Sequence, residues 1–378
     1  MKSYQEINEK IRRREAVVVT ADEILKIVEE KGLAETAKTV DVVTTGTFGA
    51  MCSSGVFLNF GHPTPRIKAS KVWLNEVEAY AGLAAVDCYL GATQGAREGA
   101  LRNGRYGGAH VIEDLVAGRS IDLEVEGAAT DCYPNKRLRT SMTLAEMPNA
   151  QLHSPRNAYQ NYNCAVNVSD KTLHTYMGVL KPRLGNATYS GAGQLSPLMN
   201  DPLFRTIGVG TRIFLGGGVG YVTGPGTQHN PSPARTDKQI PRSPSGTLAV
   251  TGNLKAMSQR WLKGVRFRGY GVSLRVGLGV PIPILDEEVL LGTLVRDEDI
   301  RVPVVDYCVD YPEGTGRVLG EVTVAEIRSG RITVGGKTLH AANFSDVKKA
   351  AEIAETLKVW IEAGQFEVGQ PVDAIPAF

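Results

Sequence analysis

Between Gly208 and Gly246 the chain reads "GVGTRIFLGGGVGYVTGPGTQHNPSPARTDKQIPRSPSG", and that density of glycine and proline forbids any long helix or strand there. The segment allows a short strand at "RIFL", a turn at Gly216 to Gly218 and a second short strand at "GYVTG". The remainder must be irregular. A long irregular segment inside a compact chain is more often functional than a plain connector, and this one is too apolar to be a linker. Glycine makes up 42 of the 378 residues, well above the usual ~7%, so turns and loops are frequent throughout.

Around this segment the pattern is mixed. "TADEILKIVEEKG" predicts a helix with Thr20 and Glu23 as a reciprocal cap, an apolar stripe at Ile24, Leu25, Ile27 and Val28, and Gly32 at its end. "TVDVVTTG" reads as a strand leading to Cys52, and "KVWLNEVEAYAG" as one further strand. "EVTVAEIRSGRITVGGKTLH" alternates between apolar and polar and predicts a three-stranded meander. A last helix is expected from Ser345 to Gly364, burying Val347, Ala350, Ile353, Ala354, Leu357 and Ile361. The expected fold is mixed α/β: one large compact catalytic unit over residues 4–369, with Gly-rich loops, a C-terminal β-meander and a terminal helix. A single region is expected, with residues 200–250 as the place where a subdivision could fall.

Several function classes lose support from composition. Lys plus Arg number 42 against 40 Asp plus Glu, so no charge excess points to nucleic acid or a membrane surface. The opening "MKSYQEINEKIRRRE" lacks the apolar core of a signal peptide. The longest apolar runs are too short to span a bilayer. A cytoplasmic protein with reduced thiols is the expectation.

No single motif carries a chemistry. "GRITVGGKT" has one residue too many between its glycines and Lys337 for a phosphate loop, and its flanks read as a hairpin. "GGGVG" at Gly216–Gly220 lacks the third glycine of a dinucleotide fingerprint; it is either a plain turn or a place where backbone N–H groups meet an anion. His229 lies in the glycine-rich segment and is either a proton-transfer group or an ordinary loop histidine. The five cysteines, Cys52, Cys88, Cys132, Cys164 and Cys308, form no C-x-x-C pair. Cys88 and Cys308 sit in apolar runs and read as buried structural thiols, and Cys164 is similar. Cys52 and Cys132 lie where strands give way to turns among small or polar residues. Lys136, Arg137 and Arg139 follow Cys132 and would favour a thiolate there.

Five long blocks together resemble a known family: "YQEINEKIRRREAVVVTADE", "VTTGTFGAMCSSGVFLNFGH", "EVEAYAGLAAVDCYLGAT", "DLEVEGAATDCYP" and "RIFLGGGVGYVTGPGTQH". They are similar to the homocysteine-biosynthesis family of anaerobes, whose members act as L-aspartate semialdehyde sulfurtransferases. The resemblance runs from about Tyr4 to Gly369. It implies an enzyme that makes L-homocysteine from L-aspartate semialdehyde and sulfide through a cysteine persulfide. Electrons would come from a small ferredoxin-like partner carrying iron–sulfur clusters, with no cofactor bound tightly to this chain. The resemblance puts the persulfide on Cys132 and a second family cysteine at Cys52. The C-terminal CBS repeats of some members are not expected.

On that reading Cys52 closes a disulfide with Cys132 as product leaves. Arg212 and the N–H groups of Gly216, Gly217 and Gly218 are the expected grip on the substrate carboxylate, and His229 the donor of a proton to the departing oxygen. Two alternatives stay open. In one, the cysteines, Cys164 among them, ligate an iron–sulfur cluster that binds sulfide directly. In the other, the chain is a non-enzymatic binder of a small anionic metabolite at Gly216–Gly220. The oligomeric state stays open as well.

Overall fold

A computed structural model describes residues 1–99, 104–308 and 316–376. Its centre is a nine-stranded antiparallel sheet. Across the sheet the strands run Leu262–Phe267, Gly271–Gly279, Arg212–Leu215, Gly218–Pro225, Thr247–Asn253, Asn149–Tyr159, Gly55–Asn59 and Asp87–Gly91, with Thr47–Ala50 pairing off this path to Gly271–Gly279. The glycine-rich segment thus supplies central strands. "RIFL" and the strand after it form the expected hairpin, in register Leu215 to Gly218.

Two helices cover this sheet. Helix Gly108–Val116 packs on it closely, because Gly108 leaves room: a Cβ there would lie 1.9 Å from the Gly91 carbonyl oxygen. The terminal helix is Val347–Glu362, started by Asp346, whose side chain accepts from Lys349 N–H. Its expected stripe is buried at Ala350, Ile353, Ala354, Leu357 and Ile361. Full burial of Ile353 and Leu357 stabilises this packing by roughly 1.5–3 kcal/mol each.

A six-stranded mixed sheet lies beside the first, in the order Arg317–Thr323, Arg301–Asp306, Cys164–Val166, Ala187–Tyr189, Lys337–Asn343, Arg331–Val334. Beside these stand a four-stranded sheet (Val77–Ala79, Ala69–Leu74, Ile121–Gly127, Arg137–Met142), a three-stranded one (Val18–Thr20, Val42–Thr44, Pro281–Pro283) and two strand pairs. No helix among the described residues is long and apolar enough to cross a membrane.

Three details differ from the sequence reading. The stretch at residues 69–79 is a hairpin of two strands, turned by Asn75 and Glu76, both at positive φ (48° and 67°). That turn normally announces itself by glycine, and here none is present. The first connection of the C-terminal meander is a helix, Val324–Arg328, because Thr323 and Glu326 form a capping box. Its flanking strands then lie at opposite edges of the six-stranded sheet, while the Gly-Gly hairpin is as expected. At the N-terminal end, Thr20 and Glu23 do bond reciprocally (2.8 and 3.3 Å), but the regular helix begins at Glu23.

Candidate active site around Cys52

Cys52 stands at the end of the Thr47–Ala50 strand, which turns sharply through Met51 to Ser54 with Ser54 N–H donating to Met51 O at 3.1 Å. The buried Ser54 hydroxyl donates to Ser154 Oγ at 3.1 Å, and Ser53 Oγ donates to Arg156 O at 3.1 Å. These contacts tie the turn to the Asn149–Tyr159 strand. Ser273, fully buried on the neighbouring strand, donates to Cys52 Sγ at 3.3 Å and fixes where the sulfur sits.

The thiol borders a cavity of about 330 Å³ between the nine-stranded and six-stranded sheets. That volume is at the small end of ligand pockets, about 300–1,000 Å³. Tyrosines 159, 162, 176 and 270 form much of its wall, with Ser190, Ser345 and Gln228 as further polar groups. Tyr162 and Tyr176 share a hydrogen bond of 2.7 Å between their hydroxyls. Burial raises the Tyr270 phenol above its ordinary value, the Cys52 sulfur adds to that, and Arg156 opposes it. Tyr270 is therefore a neutral O–H donor at neutral pH, within electrostatic reach of both. A second depression meets Cys52, Arg156 and Tyr270 from the side of Thr93 and Val272.

Arg156 reaches this place through an irregularity in its strand. Pairing with Thr247–Asn253 shifts register between Ser154 and Asn157, a bulge that re-aims side chains. The guanidinium lies 5.9 Å from the Tyr159 ring centroid. The only trace of this in the sequence is the Pro155-Arg156 step inside an otherwise regular strand.

Cys132 has different surroundings. It is exposed, in a turn where Thr130 and Tyr133 exchange backbone hydrogen bonds of 3.0 Å. Tyr133 stacks on His62 at 5.8 Å, beyond the far end of the Gly55–Asn59 strand from Cys52. Cys132 is not among the residues lining the cavity that Cys52 borders. Two of the cations after Cys132 are paired across strands: Arg137 with Glu126 at 3.6 Å and Arg139 with Glu124 at 2.7 Å.

The other expected site residues lie outside the cavity. Gly216 to Gly218 form the hairpin turn, with Gly216 N–H donating to Gly277 O at 2.7 Å and Gly216 O accepting from Ser258 N–H at 2.8 Å. A Cβ at Gly216 or Gly217 would meet Met257 Sδ at 2.8 Å or Trp261 Cδ1 at 2.7 Å. These glycines admit neighbouring side chains. Arg212 lays its guanidinium 4.7 Å from the centre of the Phe366 ring. His229 follows Gln228 of the cavity wall, but its own ring packs edge-on to Phe204 and its Nδ1 accepts from Thr247 N–H at 3.2 Å.

Burial pushes the Cys88 and Cys164 thiols up to about 12, and burial followed by Asp306 raises the half-buried Cys308. All three are held as neutral thiols at neutral pH. Among the described residues no three His, Cys, Asp or Glu side chains converge as metal ligands.

Comparison with known proteins gives a concordant picture. A family model described as "Homocysteine biosynthesis enzyme, sulfur-incorporation" matches residues 16–368. The chain is 51% identical over 374 residues to the L-aspartate semialdehyde sulfurtransferase of Methanosarcina acetivorans, covering 99% of this chain and 72% of that protein. It is 49% identical over 388 residues to the protein of the same name from Methanocaldococcus jannaschii, covering 99% and 73%. An uncharacterized protein of Methanothermobacter thermautotrophicus is 30% identical over 337 residues, covering 86% and 72%. No solved structure matches.

Proposed function

The chain belongs to the sulfur-incorporating homocysteine biosynthesis enzyme family, and from that premise we propose that it converts L-aspartate semialdehyde to L-homocysteine, with the carbon chemistry in the Cys52 cavity. The observation that carries this reading is the position of Cys52: an anchored thiol on a small cavity that also holds one arginine and a neutral phenol.

Sulfur enters at exposed Cys132 as a persulfide: the Cys132 thiolate attacks a sulfane sulfur of a polysulfide donor, which leaves one sulfur shorter, so that no oxidant is consumed. The Cys52 thiolate of a second copy attacks its terminal sulfur, leaving a Cys52 persulfide and a Cys132 thiolate. Transfer between copies is proposed in place of an intrachain disulfide, since Cys52 lines the cavity and Cys132 lies exposed outside that lining. The terminal sulfur at Cys52 then adds to the aldehyde carbon, and Tyr270 donates a proton to the oxygen. Two electrons cleave the S–S bond and return the Cys52 thiol. Water leaves, and two more electrons with two protons take the thioaldehyde to the thiol. Each persulfide sulfur incorporated thus consumes four electrons, supplied by a separate redox protein of the iron–sulfur, ferredoxin-like class.

An anaerobic assay with aspartate semialdehyde, polysulfide as the sulfane-sulfur donor and a low-potential reductant added last tests the reading, with homocysteine quantified by mass spectrometry. Sulfane sulfur on the Cys132 peptide before the reductant is added, and homocysteine after it, are expected. No homocysteine from protein that carries sulfane sulfur would overturn it.

A further inference from the structure

Arg156 is the single charged side chain among the described residues lining the Cys52 cavity, and no Asp, Glu or Lys lines it. It makes no ion pair with any described residue, whereas its main chain is held firmly: Arg156 O accepts from Ser53 Oγ at 3.1 Å and from Ser154 Oγ at 3.3 Å. A guanidinium on an anchored main chain, without a carboxylate partner among the described residues and sharing a small cavity with a thiol, is a site for an anion carried by the ligand. Guanidinium matches a carboxylate in a bidentate way that an ammonium cannot.

We propose that Arg156 binds the α-carboxylate of a short amino-acid aldehyde, and that the carboxylate rather than the α-ammonium is the group by which the cavity recognises its substrate. This rests on the proposed function for the identity of the aldehyde, but the recognition itself does not depend on sulfur transfer. Without an acidic lining residue the ammonium has no ion-pair partner. It faces tyrosine rings and hydroxyls, where a cation is held more weakly. The two ends of the ligand are thus set apart: carboxylate on Arg156, aldehyde carbon toward Cys52.

The test reads occupancy of the cavity as protection of Cys52 from iodoacetamide, followed by peptide mass spectrometry. Three unreactive analogues are titrated: L-homoserine, 4-hydroxybutyrate, which lacks the ammonium, and L-homoserinamide, which lacks the carboxylate. L-Homoserine and 4-hydroxybutyrate are expected to protect at concentrations within about ten-fold of each other, and L-homoserinamide to need about ten- to a hundred-fold more. Arg156→Ala should raise the protecting concentration of L-homoserine by a similar factor, and Arg156→Lys by less. Equal protection in Arg156→Ala, protection by L-homoserinamide as good as by L-homoserine, or none by L-homoserine in the parent protein would each overturn the assignment. Arg156-dependent protection in a protein that forms no homocysteine would uphold it while rejecting the proposed reaction.

Discussion

The Cys52 cavity and the Cys132 turn are both built on short turns after strands, yet they treat a thiol in opposite ways. At Cys52 the turn is tied to a neighbouring strand by Ser53 and Ser54, the sulfur receives a hydrogen bond, and the nearby cation has no carboxylate partner among the described residues. At Cys132 the sulfur is exposed, and the arginines that follow it are neutralised by Glu124 and Glu126. One environment encloses its thiol beside a small cavity, and the other leaves its thiol exposed. Cations close in sequence do not make an electropositive site when the strands beside them supply matching carboxylates.

The largest effect that can break this comparison comes from removing each thiol. Cys52→Ser and Cys132→Ser are each expected to lower homocysteine formation by about 10³-fold or more, with unchanged circular dichroism. An equimolar mixture of the two should recover a substantial part of the activity, since one variant keeps the loading thiol and the other the cavity thiol. A mixture as inactive as its components would exclude transfer between copies. Next in size is Tyr270→Phe, which deletes the cavity's proton donor and should reduce turnover by about 10²-fold while leaving sulfur loading at Cys132 intact. Steady-state kinetics beside sulfane-sulfur quantification separates the two quantities, and equal losses in both would count against a cavity role. The smallest effect is expected from Arg139→Ala. Arg139 holds the Glu124 carboxyl below its usual range, chiefly through their hydrogen bond, and an exposed pair of this kind contributes little, about 0–1 kcal/mol. Loading of Cys132 should change by less than about two-fold, and a loss of ten-fold would show that this arginine acts on the thiol after all.

Much of the scaffold was legible because it rests on local rules. The stripe on the terminal helix and the turn between "RIFL" and the next strand follow from periodicity and glycine alone. The Asn75-Glu76 hairpin escaped because its left-handed residues are not glycines, and the Val324–Arg328 helix because five residues are too few for a period to show. Of the site residues expected from sequence, Cys52 lines the cavity and the others do not. Arg156, Tyr176 and Tyr270 come from segments far apart in the chain, and a register shift in one strand aims the arginine. Gly216 to Gly218 are legible as a turn, but their neighbours are not. Glycine signals close approach without saying what approaches, and here it is Met257 and Trp261.

The contrast between an enclosed and an exposed thiol would also set a kinetic order. If sulfur passes between copies as proposed, the rate per chain falls on dilution in proportion to protein concentration, unless the copies stay associated. A loaded molecule without a partner would then hold sulfur at its surface, where Cys132 is exposed to any passing reductant. On that reading, the placing of Cys52 on the cavity and of Cys132 outside its lining makes the chemistry a property of encounters rather than of single molecules.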